Sequence, residues 1–246
     1  NYPYDEDGVG SGMDAPTPDD ALFEDVARRY SRYNLPMWNS AQFADGISNG
    51  SAWYAIFGSM QDWNYRYMAC NDVTIELSYA KWPAASELPD FWDDNREAML
   101  RYLEAVHIGV RGIVTDALTG QPVDARVTVQ GNAQPVFTDP DAGDYHRMLL
   151  PGVYTLTVQA EGYHPRTFTN LTVAAGPATR ADAALVPLGA VFDADVNNDG
   201  VVNAVDIQLV VNDVLGLPVP VDGDINGDGA VNAVDVQLVI NAALVR

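Results

Sequence analysis

Residues 72–83, DVTIELSYAKWP, decide how the first part of the chain is read. Val73, Ile75 and Leu77 alternate with Thr74 and Glu76, the period of a strand with one face buried. The pattern predicts a strand that carries Glu76 on the face opposite the apolar set. A carboxylate in that position is either a solvated edge residue or a group placed for chemistry. Just upstream, SAWYAIF (51–57) reads as a second strand. Two helices flank the pair. Thr17-Pro18-Asp19-Asp20 supplies a cap residue, a first-turn proline and acids at the positive end of the dipole, and Leu22, Phe23, Val26, Ala27 and Tyr30 then share one face. The other helix is predicted over about 89–107, with Trp92, Met99, Leu103 and Val106 at helical spacing and Gly109 as its stop. Strands interleaved with helices predict α/β layers.

Composition sets the outer bounds. A chain of 246 residues, 48% hydrophobic, can bury a core and divide into more than one unit. The formal charge of -21 disfavours a nucleic-acid surface and favours cationic partners or metal ions. No apolar run approaches the roughly 20 residues that span a bilayer. NYPYDEDG, at the start, has neither the basic nor the apolar region of an export signal. The chain begins at Asn1 inside what reads as ordered sequence, so a further N-terminal portion is expected. Cys70, the single cysteine, excludes an intrachain disulfide and reads as a small buried apolar residue.

The character changes after about residue 108. RGIVTD, ARVTVQG, DYHRMLL, VYTLTVQA and FTNLTVAA are short runs of period two separated by Gly, Pro, Asp and Asn, the pattern of a small β-sandwich. His146 and His164 stand alone there, with no catalytic constellation around them.

The last segment carries the clearest local motif. DVNNDGVVNAVD puts Asp195, Asn197, Asp199, Gly200, Val201, Asn203 and Asp206 at positions 1, 3, 5, 6, 7, 9 and 12 of a calcium loop. DINGDGAVNAVD repeats it 29 residues later with Asp224, Asn226, Asp228, Gly229, Ala230, Asn232 and Asp235. Calcium needs this layout: side-chain oxygens at the first odd positions, a glycine to turn the loop, a backbone carbonyl from Val201 or Ala230, and a closing carboxylate. Position 12 is Asp rather than Glu, and PLGAVFDA before the first loop is no amphipathic entry helix. The duplicated loop with its exiting helix resembles a type I dockerin over about 192–246. That resemblance implies a cohesin partner and an extracellular setting, and millimolar extracellular calcium suits such loops. It also gives Ala204-Val205 and Ala233-Val234 a part in choosing the cohesin.

NYPYD, NGSAWYAIFGSMQDWNY, TIELS and FWDDNREAMLRYLEAVHIGVRGIV, followed by a sandwich, resemble zinc metallocarboxypeptidases of the M14 class, in the regulatory branch of carboxypeptidases E, D, M and N. The resemblance runs from Asn1 to about Leu188. The two resemblances together imply a multidomain chain: an α/β peptidase half truncated at its N-terminus (1–107) and a transthyretin-like β-sandwich (108–189) from this one, and a small all-α dockerin with two calcium ions (190–246) from the other. The peptidase resemblance makes Glu76 the general base and acid, Tyr54 the mobile tyrosine over the substrate carboxylate, and Asp5 with Gln61 the pair that selects a C-terminal Arg or Lys. Such a zinc site uses HxxE and a later histidine. Here His107, His146 and His164 are followed three residues on by Val110, Leu149 and Thr167. The zinc ligands are therefore expected upstream of Asn1, and the 246 residues alone are expected to be inactive. The alternative is a non-catalytic binding or scaffold protein with a degenerate peptidase half.

Overall fold

The computed structural model describes residues 1–4, 12–188, 193–226 and 230–244, so Asp5, Asp228 and residues 189–192 of PLGAVFDA lie outside the described residues. The first helix, α1 (Asp20–Ser31), buries Leu22, Phe23, Val26 and Tyr30 along the predicted face. Thr17 does not cap it directly: its hydroxyl accepts from the Asp19 amide, and Asp20 opens the helix. Three more helices follow, α2 (Leu35–Trp38), α3 (Gly50–Trp53) and α4 (Met60–Met68). The long α5 (Leu88–Glu104) then packs on α1 and ends in a 3-10 turn, Ala105–His107.

Three expectations for this part fail. The described residues of 1–107 contain helices and one isolated Tyr2–Asn49 bridge but no strand, so the α/β layer is not formed here. SAWYAIF has Ile56 as its one β-branched residue, and Asn49 caps the Gly50–Trp53 turn by accepting from the Ala52 amide. Residues 72–78 carry no helix, turn or strand, with Val73 and Ile75 half-buried and Thr74, Glu76 and Leu77 exposed. A strand is defined by its ladder, and this run belongs to none among the described residues. Its backbone meets Asn1 through two bonds, Asn1 N to Thr74 O at 2.7 Å and Thr74 N to Asn1 O at 2.9 Å. The apolar stripe of α5 is likewise not its buried face. Trp92 and Leu103 are 58% and 63% exposed, while Asn95 and Ala98 face α1 and let it approach closely. Asn95 accepts from the Tyr30 hydroxyl and from Asn34 Nδ2 and donates to Phe91 O, which ties α1, α2 and α5 together. Cys70 is exposed rather than buried.

The helix-to-strand switch falls at Gly109, at φ +103°, where a Cβ would lie 2.2 Å from Arg147 O. Eight strands follow: β1 (Val110–Asp116), β2 (Arg126–Val129), β3 (Val136–Phe137), β4 (Asp144–Arg147), β5 (Gly152–Gln159), β6 (Arg166–Val173), β7 (Thr179–Arg180) and β8 (Ala183–Leu185). They form two sheets, β4-β1-β7 with β8 also on β1, and β3-β2-β5-β6. Val110 opposes Arg147 in the first, and Val127 opposes Val158 in the second. Val110, Val114, Val127, Leu156, Val158 and Leu185 fill the core between them. Each fully buried aliphatic side chain of this kind contributes on the order of 1.5–3 kcal/mol.

The helical part and the sandwich meet over a buried ion pair. Arg147 Nη2 donates to Asp19 Oδ1 at 2.6 Å, and both side chains are almost fully buried. Asn132 Nδ2 reaches the same oxygen at 2.7 Å, and Tyr65 Oη donates to Asp19 Oδ2 at 2.9 Å. Beyond the sandwich, α6 (Ala204–Val214) and α7 (Ala233–Leu244) pack through Val210, Val239 and Ala194. No helix among the described residues is long and apolar enough to cross a membrane.

Candidate functional site

A cavity of about 960 Å³ opens in the helical part, and both Tyr54 and Glu76 line it, with Asn1, Tyr30, Phe43 and Lys81 among their neighbours. Tyr54 is placed by Asn49. The Asn49 side chain donates to Pro3 O and Ala15 O and accepts from Ala15 N and Ala52 N, which locks the chain start, residue 15 and α3 together. Tyr54 leaves α3 in extended geometry, its ring edge-on to Trp53 at 4.7 Å, and is 44% exposed towards the cavity side. Phe43 supports Trp53 in turn at 5.2 Å. Glu76 is an exposed acid on the wall formed by residues 73–81, and it stands next to bulk solvent as well as the cavity.

Gln61 is not on that wall. It is 3% exposed on α4, where Nε2 donates to Asn1 Oδ1 at 3.0 Å and Oε1 accepts from Thr74 Oγ1 at 2.8 Å. Its amide therefore braces the chain start against the run that bears Glu76. The structure thus brings Glu76 and Tyr54 to one cavity, sets Gln61 behind it, and leaves Asp5 outside the described residues.

Among the described residues no group of three or more His, Cys, Asp and Glu side chains could hold a metal ion. His146 Nε2 lies 2.8 Å from Ile108 O, a backbone partner. The residues present do not fit a zinc cage. For calcium the test is the oxygen set of the repeats. In the first loop Asp195 accepts from the amides of Asp199 and Gly200, and Asp199 from that of Val201. Asp206 is fully buried and accepts from the amides of Asn197 and Asn203. Asn203 donates to Val201 O. In the second loop the equally buried Asp235 accepts from the amides of Ile225, Asn226 and Asn232. Asn232 caps the chain at Val234 and donates to Ala230 O. Asp195, Asp199 and Asp206 of the first loop are all described, yet they form no group of three acids gathered to hold a metal ion, and their oxygens accept from the loop's own amides. Asp224, at position 1, pairs its backbone with the Asp222 side chain.

Sequence reasoning missed Asp19, Tyr65 and Arg147 as an interacting set. The alternation of β4 held a signal: Tyr145 points into the sandwich, and Arg147, two residues on, shares its face.

Comparison with known proteins gives the class of the two main parts. Residues 1–98 match the zinc carboxypeptidase family, and residues 109–186 match the carboxypeptidase regulatory-like domain. Residues 1–98 are thus similar to zinc carboxypeptidases, and residues 109–186 to the regulatory-like domain. Human carboxypeptidase D is 41% identical over 196 residues, which is 76% of this chain and 14% of that protein. The human carboxypeptidase N catalytic chain is 43% identical over 188 residues, 72% of this chain and 40% of that protein. The chain therefore spans well under half the length of these relatives. A crystal structure of a type II cohesin–X-dockerin complex from Acetivibrio cellulolyticus covers 54% of this chain and 92% of its own at 18% identity, with a TM-score of 0.26, too low to carry an argument.

Proposed function

We propose that the chain is part of a metallocarboxypeptidase that removes C-terminal residues, Arg or Lys by preference, from peptides or proteins. The single observation that carries the reading is that Glu76 and Tyr54, two of the four residues the family resemblance singles out, line one cavity of a segment matching the zinc carboxypeptidases. Glu76 takes a proton from the attacking water and delivers it to the leaving amine; a positioned carboxylate within reach of both does this work. Tyr54 closes over the substrate carboxylate from its half-open position. Asp5 with Gln61 selects the basic end, Asp5 by its charge and Gln61 from the layer behind the wall. Zinc, which these residues do not hold, comes from ligands elsewhere in the protein.

The proposal divides the chain into the peptidase half (1–107), the transthyretin-like sandwich (108–189) and a dockerin (190–246). Asp195, Asn197, Asp199, Asn203 and Asp206 with the Val201 carbonyl hold one calcium ion. Asp224, Asn226, Asp228, Asn232 and Asp235 with the Ala230 carbonyl hold the other. The dockerin tethers the secreted enzyme to a cohesin-bearing partner.

The test is kinetic, on the complete zinc-loaded protein. Glu76→Gln is expected to lower kcat by roughly 10²–10⁴-fold, with KM little changed, against peptides ending in Arg or Lys. Unchanged turnover removes Glu76 from the chemistry, and faster cleavage of peptides ending in Leu than in Arg removes the basic preference.

A further inference from the structure

The sandwich is joined to the peptidase segment by more than contact. Arg147 ends β4 with its guanidinium on Asp19, the residue that precedes α1. Asn132 holds Asp19 and Pro18 O from the loop after β2, and Gln134 Nε2 donates to Tyr65 O at 2.9 Å. Tyr65 closes the circle on Asp19 from α4. Gln61 lies one turn before Tyr65 on the same face of α4. Its amide clamps Asn1 and Thr74, and Thr74 is two residues from Glu76. Met148, next to Arg147, reaches the start of the same run, where Asn71 Nδ2 lies 3.1 Å from its sulfur.

We infer that Arg147 is a positioning residue for the peptidase site: from the sandwich, through Asp19, Tyr65 and Gln61, it fixes the run that carries Glu76. A charge buried in a network is held in one arrangement because each partner leaves the others unsatisfied when it moves. The run has no ladder of its own among the described residues; it is held by two backbone bonds to Asn1 and by Gln61 of α4, which bonds both Asn1 and Thr74, and α4 is in turn tied to the sandwich through Tyr65. The meaning for catalysis rests on Glu76 being the acting carboxylate, whereas the mechanical coupling does not.

Amide hydrogen exchange on the complete protein tests the coupling without activity. Thr74 N is protected by Asn1 O at 2.9 Å. Arg147→Met is expected to raise exchange at Thr74 by about tenfold relative to the amides of β5. Val127→Ala, which loosens the sandwich core away from the interface, is expected to leave that ratio unchanged. An unchanged ratio in folded Arg147→Met overturns the inference. If that variant does not fold, Asn132→Ala decides: a ratio raised about threefold supports the coupling, and none refutes it. In the complete zinc-loaded protein, Arg147→Lys is expected to lower kcat about tenfold with KM within about twofold. Equal loss in both overturns the positioning role. If Glu76→Gln is without effect while the exchange ratio rises, the proposed function fails and the coupling stands.

Discussion

Tyr65→Phe removes one oxygen from the buried network and little else. The ring stays in place, edge-on to Phe23 at 5.1 Å and to Tyr4 at 5.7 Å, so its apolar burial is kept. What is lost is a 2.9 Å hydrogen bond to the Asp19 carboxylate, at a side chain that is 1% exposed. A bond to a charged acceptor is worth about 1.5–3 kcal/mol, and Asp19 keeps its two bonds on the other oxygen, so the expected cost is about 2 kcal/mol. For a chain of this size that is a fall of roughly 4–8 °C in Tm. Burial, and then the neighbouring Asp19 charge, raise the Tyr65 hydroxyl far above its usual range. The sign follows: above pH 10 the unfolded chain gives up that proton and the folded one keeps it, so the wild type loses an increment of stability there that the Phe variant, which shares only the other buried tyrosines, does not lose. The gap between them should be flat from pH 6 to 9 and narrow by about 0.8 kcal/mol at pH 10.5. Urea denaturation followed by tryptophan fluorescence reports on the right part, since all five Trp residues lie before residue 93. A difference under about 0.5 kcal/mol at pH 7, or a gap that stays constant to pH 10.5, refutes the reasoning.

Three further outcomes are expected. Calcium at about 100 times Kd should stabilise each loop by about 2.7 kcal/mol in thermal unfolding, and Asp206→Ala with Asp235→Ala should abolish the response; identical curves in calcium and in chelator would remove both loops as sites. Asp20→Asn should raise the unfolding midpoint at pH 7. Burial, then Asp14 and Glu24, raise the Asp20 carboxyl, so stability is full at low pH and falls as pH rises through the shifted pKa, and the gain should close on acidification. Cys70 should react with a thiol reagent in the native state, since it is exposed, yet more slowly than free cysteine, since burial and then Asp72 raise its pKa; no native labelling would contradict that exposure.

The sandwich was legible in the sequence because its strands find partners within one short segment. β2 and β4 fall inside two of the five predicted runs, and β1, β5 and β6 overlap the other three, starting one or two residues earlier. β3, β7 and β8 are two or three residues long and too short to show a period. The α5 helix was readable as a helix, because spacing fixes the period. Which face is covered depends on what packs there, and Asn95 and Ala98, not the Trp92 stripe, meet α1. The same limit explains residues 72–78: alternation describes a chain ready to pair, and pairing needs a neighbour the alternation does not encode.

The site divides along the same line. Glu76 and Tyr54 owe their assignment to a long motif resemblance, and local pattern alone would have made Tyr54 a core aromatic and Gln61 a surface amide. The structure has these reversed, with Tyr54 half-open on the cavity and Gln61 buried. The reversal follows from helix geometry once one contact is known. Tyr65 must lie inside to meet Asp19 and Phe23, and Gln61 is four residues before it, so α4 turns both inward. A buried amide must find partners. Gln61 finds them on Asn1 and Thr74, and so the residue with the least apolar side chain on that face fixes the run that carries Glu76.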